Sequence, residues 1–410
     1  VLSKYKYVGK TVWYLISAEL LLNLVNSAFF LILNLYLRSL GLKDDVIAEY
    51  TSIRLIAVVL LSLPVGIYIR YHTIKPFFYA AGVGLPLLSV LFLYAVSHEY
   101  TFWAKTCVFL WGVAYTCIQV ASVPFFTRNI PNRYHTEIFS LHFAVSSASA
   151  IISGLLIYGL QQLNSTYFTD LRILYCISGI GFFALFCIPF IKERKIPAEK
   201  LNPSFVLFKD YDWGKIGTAL FPGLILAIGA GLTIPFFNLF FNSVFGFKSD
   251  EFSILTTISF VLVLVSSLII PSLKRRYGYF ISVILSQAIA TLSLFVLAST
   301  EWYKGYGFAL PVAITAYLVR QPLMNMAAPM TSEWVMNYVG EKNREMVSSL
   351  NAGMWSGSWF ISAVLFGIFR KHELAYGQIF MITVVMYFIA VYLYHVFMRR
   401  DSKTITKNRT

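Results

Sequence analysis

The sequence predicts an all-α membrane protein: twelve transmembrane helices in two pseudo-symmetric six-helix bundles, with both termini in the cytoplasm. Three observations predict it. First, the 410 residues are 58% hydrophobic and only 13% charged, with a mean hydropathy of +0.69; soluble domains are about 45–50% apolar and roughly 25% charged. Second, the apolar residues fall in long runs with few charges, and a ~30 Å hydrocarbon core asks for ~20 such residues per helix. Third, the lysines and arginines concentrate on alternate loops. This composition excludes disorder, collagen-like structure and a disulfide scaffold. The unbroken apolar runs also exclude a β-barrel, whose strands alternate apolar and polar residues.

Taken in order, the spans are expected near 12–38, 46–69, 76–97, 102–127, 138–163, 171–191, 214–244, 251–273, 279–299, 307–336, 346–369 and 375–398. Helices are required because backbone groups in lipid must bond within their own segment. The first run is too long for the apolar core of a cleavable signal peptide. Of the 33 Lys and Arg, 23 fall at the N-terminus, in the loops after spans 2, 4, 6, 8 and 10, and in the tail; 8 fall on the opposite side. Arg54 and Arg320 lie inside spans. This bias places both termini in the cytoplasm. It also accounts for the net charge of +14 as an inside-facing membrane signature, so nucleic acid is not the expected partner. The sequon Asn164-Ser165-Thr166 falls in an outward loop.

A charged stretch from Lys192-Glu193-Arg194-Lys195 to Asp210 and Asp212 divides the spans six and six. The expected organisation is therefore a bundle at 1–192, a cytoplasmic linker at 193–213 and a second bundle at 214–410 with a short basic tail. The linker is too short to hold a catalytic domain. The halves read as a repeat. Asn34-Leu35-Tyr36-Leu37 through Gly41 at the end of span 1 matches Asn238-Leu239-Phe240-Phe241 through Gly246 at the end of span 7. Pro124 matches Pro329, and Ser140-Leu141 matches Ser349-Leu350. Parallel six-helix repeats with a site near the bilayer midplane are a transporter architecture.

Twelve spans, a six-plus-six repeat, a basic central loop and cytoplasmic termini together resemble the major facilitator superfamily over nearly the whole chain. The family motif after span 2, G-x-x-x-D-R-x-G-[RK]-[RK], corresponds to Gly66-Ile67-Tyr68-Ile69-Arg70-Tyr71-His72-Thr73-Ile74-Lys75. Gly66 and Lys75 match, but Arg70 stands at the acidic position. After span 8, Arg276 and Gly278 match and Arg275 replaces the aspartate. The resemblance implies a cytoplasmic gate around Arg70, Lys75, Arg275 and Arg276, latched differently from the family pattern. The stretch Arg320-Gln321-Pro322-Leu323-Met324-Asn325-Met326-Ala327-Ala328-Pro329 is similar to a prokaryotic branch that includes drug–proton antiporters. The G-P-x-x-G-G run of those antiporters is absent from span 5.

A charge near the bilayer centre costs about 2.5–3.5 kcal/mol on insertion scales and marks a functional candidate. Glu19 heads a polar stripe on span 1, with Asn23, Asn26, Phe30 and Asn34 at helical spacing. Such a stripe must face protein or water. In the resembling family, spans 1, 4, 7 and 10 line the central cavity, which implies that Glu19, Asn23 and Asn26 face it and carry proton or substrate coupling. A structural carboxylate bonded to a neighbouring helix is the other reading of Glu19. Arg320 sits near mid-depth of span 10, with Tyr317, Gln321, Met324 and Asn325 on its face. Its guanidinium suits a carboxylate or phosphate, so Arg320, Gln321 and Asn325 are candidates for substrate or coupling; a fixed ion pair is the alternative. At the repeat-related place in span 4 stand Trp111, Tyr115 and Gln119, which with Phe30, Tyr317 and Thr233 are the expected cavity walls. Arg54 is read as snorkelling outward or bonding Tyr50. Span 7, with Pro222, Gly223, Gly229, Gly231 and Pro235, is a candidate for an interrupted helix. His142 is read as a gate or packing residue, and Cys107, Cys117, Cys176 and Cys187 as small apolar residues.

Gly9-Lys10-Thr11 lacks the earlier glycine of a phosphate-binding loop, and His372-Glu373 lacks the second histidine of a zinc motif. No cofactor or metal is expected. The expectation is a monomeric, non-enzymatic secondary transporter in the plasma (inner) membrane, working in the lipid bilayer by alternating access on a small organic molecule, with protons as the coupling ion. Export of amphipathic compounds comes first on the branch resemblance. Uptake of an organic anion or other small metabolite by proton symport follows, because Arg320 suits an anion. A membrane enzyme and a non-transporting sensor are the rival classes.

Overall fold

The computed structural model describes residues 9–131, 135–193, 211–340 and 343–407. Every regular element among these is helical: α1 Lys10–Ser39, α2 Asp44–Tyr71, α3 Lys75–Ser97, α4 Thr101–Asn129, α5 His135–Leu163, α6 Asp170–Gly181, α7 Ala184–Cys187, α8 Trp213–Thr233, α9 Phe237–Phe245, α10 Ser249–Ser299, α11 Ala309–Val339, α12 Arg344–Lys371 and α13 Tyr376–Lys407. Among the described residues, ten segments are long and apolar enough to cross a membrane. The chain is an integral, multi-pass membrane protein. Neither α11 nor α12, which cover expected spans 10 and 11, is among the ten; α11 is 31 residues long but carries Arg320, Gln321, Asn325 and Glu333. The other departures from the expected spans have local causes. Span 6 divides into α6, α7 and a 3-10 turn at Ile188–Phe190 that holds Pro189. Spans 8 and 9 run on as α10, broken at Gly278, whose φ of 75° is open to glycine. Cys176 is exposed rather than buried.

The helices form two compact units. One contains Val1–Phe205 with Lys248–Ile254; the other contains Val206–Phe247 with Leu255–Thr410. In the first, α1 packs on α5 and α6, and α4 packs on both α2 and α3. The α1–α2 turn uses Gly41 at φ +82° and is closed by an ion pair between Arg38 and Asp44. The segment 248–254 belongs to this unit: Ser249 Oγ donates to Asp170 Oδ2 at 2.7 Å, and Gln161 Nε2 donates to Asp170 Oδ1 at 2.7 Å.

The second unit repeats the pattern, with α8 packed on α12 and α13. Its turn after α9 uses Gly246 at φ +75°, the counterpart of Gly41. Equivalent hydroxyls join equivalent helices. Ser149 Oγ and Ser153 Oγ of α5 donate to the Leu20 and Leu24 carbonyls of α1 at 3.2 and 2.9 Å, and Ser362 Oγ of α12 donates to the Ile228 carbonyl of α8 at 2.6 Å. Hydroxyl-to-carbonyl bonds are the polar glue of helix pairs in lipid. Close approach here depends on Gly231, where a Cβ would lie 2.6 Å from Ser362 Cβ and 3.0 Å from Trp359 Cα. After α8 the helix breaks into a 3-10 turn at Ile234–Phe236 and restarts as α9. Pro235 sits in that turn and has no N–H to continue the ladder. The interruption expected in span 7 is therefore present, and it lies beside the candidate site.

Candidate functional site

The second unit contains a cavity of about 340 Å³. Arg320, Gln321 and Asn325 of α11 line it, together with Gly223 and Ala230 of α8, Asn351 and Trp355 of α12, and Tyr387 and Tyr394 of α13. Arg320 is only 1% exposed. Its Nη1 donates to Gln321 Oε1 at 2.7 Å and its Nη2 to the Tyr387 hydroxyl at 3.2 Å. The guanidinium carbon lies 5.1 Å from the centroid of the Phe237 ring, on the first residue of α9, and 5.8 Å from that of Tyr387. Such cation–π contacts soften the burial of a charge without neutralising it. Among the described residues, Nε has no hydrogen-bond partner and no carboxylate pairs with Arg320.

Local sequence explains how Arg320 is held. Tyr387 approaches α8 because Gly229 offers no side chain; a Cβ there would be 2.8 Å from Tyr387 Cε1. The Gly229 carbonyl accepts from Thr233 Oγ1 at 3.2 Å and from Thr383 Oγ1 at 3.3 Å. Thr233 is thus buried behind the cavity wall. Tyr317 is also buried, with its ring against Phe237 and Phe241 and its hydroxyl 3.5 Å from Thr256 Oγ1. Asn325 is anchored through Nδ2 to the Gln321 carbonyl at 2.9 Å.

The remaining predicted residues sit in the first unit. Glu19 is 1% exposed. Its Oε2 lies 3.0 Å from His142 Nδ1 on α5, while Oε1 is buried with no hydrogen-bond partner among the described residues. His142 also packs edge-on against Phe126 at 5.6 Å. Asn23, Asn26 and Phe30 are part-buried on the Glu19 face of α1. Trp111 is buried: its Nε1 donates to Ser89 Oγ at 2.7 Å, and its ring stacks on Phe29 and Tyr115. Arg54 does not snorkel outward. Its guanidinium lies 5.0 Å from the centroid of the Trp111 ring, and Tyr115 is within electrostatic reach of both Arg54 and Glu19. Gln119 is exposed.

The side chains of Arg70, near the end of α2, and of Arg275, on α10, lie outside the described residues. Lys75 is the first residue of α3, and its Nζ donates to the Pro189 carbonyl at 2.8 Å. Arg276 is exposed on α10. The α2–α3 turn is organised by Glu193, a residue of the expected linker. Its carboxylate accepts from the backbone N–H groups of Ile74, at 3.0 and 2.7 Å, and Lys75, at 3.2 Å. It also pairs with Arg128 at 3.2 Å. A carboxylate at a helix N-terminus is favoured by the dipole and the free N–H groups there. Among the described residues no cluster of His, Cys, Asp and Glu forms a metal site.

The sequence matches no protein-family model and no curated protein. Solved structures do match in fold. A D-xylose-proton symporter superposes with a TM-score of 0.76 at 11% identity, covering 95% of this chain and 97% of that one. A POT family transporter in complex with a thioalcohol-conjugated peptide gives 0.73 at 12%, covering 98% of each chain. The nucleoside transporter NupG gives 0.69 at 15%, covering 95% of this chain and 98% of that one. The fold is that of the major facilitator type, and these proteins of like fold are transporters rather than enzymes.

Proposed function

We propose that the chain is a secondary transporter that carries a small organic anion inward by proton symport. Residues 1–192 and 214–410 alternate access to the site. The observation that carries this reading is Arg320, a buried guanidinium with no carboxylate partner among the described residues, on the wall of a cavity. An uncompensated buried charge is strongly unfavourable, and an anionic substrate supplies the missing partner. A lipophilic cation in the same cavity meets a like charge. The geometry therefore favours an organic anion over the amphipathic compounds suggested by the branch resemblance.

Glu19 and His142 supply the proton-binding half. They face each other at 3.0 Å, and one Glu19 oxygen has no hydrogen-bond partner among the described residues. Tyr115 lies within electrostatic reach of Glu19 and of Arg54. A proton taken up there changes the buried charge on α1 and α5, the event that proton coupling requires. The fold likeness to a D-xylose-proton symporter supports such coupling. Cytoplasmic termini, a monomeric state and a place in the plasma (inner) membrane belong to the same reading.

The test is a thermal-shift screen of organic anions against lipophilic cations on purified protein. A ligand at a hundredfold excess over Kd stabilises by about 2.7 kcal/mol. Anions should raise the Tm of the wild type and not of Arg320→Ala. Stabilisation by cations that survives Arg320→Ala and weakens in Glu19→Gln would return the reading to efflux.

A further inference from the structure

We infer that the cavity around Arg320 binds a monocarboxylate carried on a flat aromatic ring. This rests on the anion-transport reading above and narrows its substrate class. The first argument is charge. Among the described residues, Arg320 is the one ionised side chain in the cavity lining, which holds no carboxylate, lysine or histidine. A single carboxylate balances it. A dianion leaves one negative charge uncompensated, and a zwitterion's ammonium finds no acidic partner. Either residue of charge is unfavourable away from water.

The second argument is shape. Trp355 of α12 and Tyr387 and Tyr394 of α13 line the same cavity, and Met324 and Met336 of α11 contribute apolar surface. Tyr387 and Tyr394 are seven residues apart in one helix and so present a common face. Aromatic walls favour stacked or edge-on rings over branched aliphatic bodies, and methionine adapts to ring edges. The third argument is size. A cavity of about 340 Å³ lies at the low end of the ~300–1,000 Å³ range of small-molecule sites, a size that suits an occupant of one or two rings. The amides of Asn325 and Asn351 and the hydroxyls of Thr331 and Ser332 can receive ring hydroxyl or amino groups.

The test is binding to purified full-length protein by calorimetry, with benzoate and 4-hydroxybenzoate as probes. Benzamide, cyclohexanecarboxylate, phthalate, phenylalanine and benzyltrimethylammonium serve as controls. Benzoate should bind saturably. Losing the buried charge pairing should weaken it at least ~30-fold in Arg320→Gln, with partial recovery in Arg320→Lys. Benzamide should bind at least about tenfold more weakly than benzoate. Trp355→Leu should weaken benzoate by about fivefold and leave cyclohexanecarboxylate little changed. Should Arg320→Gln fail to fold, the probe series on the wild type and on Trp355→Leu still decides. Arg320-dependent binding in which phthalate or cyclohexanecarboxylate equals or exceeds benzoate overturns the aromatic monocarboxylate and leaves anion transport standing. Benzamide or benzyltrimethylammonium binding as tightly as benzoate, or no Arg320-dependent binding of any anion, overturns both.

Discussion

Where the first half of the chain sets Glu19 against His142, the second half sets Gly223 and Asn351. Glu19 and Gly223 each stand fifteen residues before the matched asparagines Asn34 and Asn238. His142 and Asn351 each follow a matched Ser-Leu pair. In the first half, the position is filled by a buried carboxylate and an imidazole 3.0 Å apart. In the second half, both residues line open space. Tyr115 and Arg320 form a third matched pair, also of unlike character. The backbone contacts are shared, as the Ser153–Leu24 and Ser362–Ile228 bonds record. One repeated scaffold therefore carries two chemistries: a titratable pair in one copy, and a fixed cation beside a cavity in the other.

The largest expected effect breaks the first of these. Glu19→Gln removes the carboxylate and keeps its shape. In proteoliposomes under an imposed pH gradient, accumulation of a bound anion should fall to the level seen without the gradient. Counterflow exchange of the same anion at equal pH should persist. Equal loss of both would place Glu19 in substrate binding and dissolve the division between the halves.

Much of this division was legible in the chain itself. Glu19 and Arg320 declare themselves because a charge in an apolar run needs a reason. The break at Ile234–Phe236 was legible from Pro235 and its neighbouring glycines. The partners were not legible. His142 gains its role only when α5 lies on α1, and nothing local distinguishes it from a packing residue. Tyr387 reaches Arg320 because Gly229 on another helix leaves room, a pairing that no spacing within α13 reveals. Arg54 read as a snorkelling residue because its partner, Trp111, stands on a different helix. Glu193 looked like one charge among several in a linker, and only its position over the start of α3 sets it apart.

A middle-sized effect sharpens the packing side of the comparison. Gly231→Val places atoms on the Trp359 backbone and should destabilise by about 1–3 kcal/mol, as overpacking does, read as a lower Tm. Gly223→Ala should be milder, because the nearest atoms to its Cβ are Met354 Cε and Tyr394 Oη at 3.3 Å, the far ends of side chains that can shift. A larger Tm loss for Gly223→Ala would mean that the open position in the second half is itself a packing requirement. The smallest effect tests whether the two scaffolds are equivalent. Ser153→Ala and Ser362→Ala should each lose about 0.6 kcal/mol, the mean for interhelical hydrogen bonds in lipid. A difference above about 1 kcal/mol between them would show that the matched bonds are not matched in weight.

The carboxylate of Glu193 bears on how the protein is made. It closes on Ile74, Lys75 and Arg128, all of which precede it in the chain. Synthesis runs from the N-terminus, and domains tend to fold as units in that order. The last link of this knot is therefore among the first half's final residues to leave the ribosome. From that moment the six earlier membrane segments hold every group the fastening needs. The second half is then made after this fastening is in place.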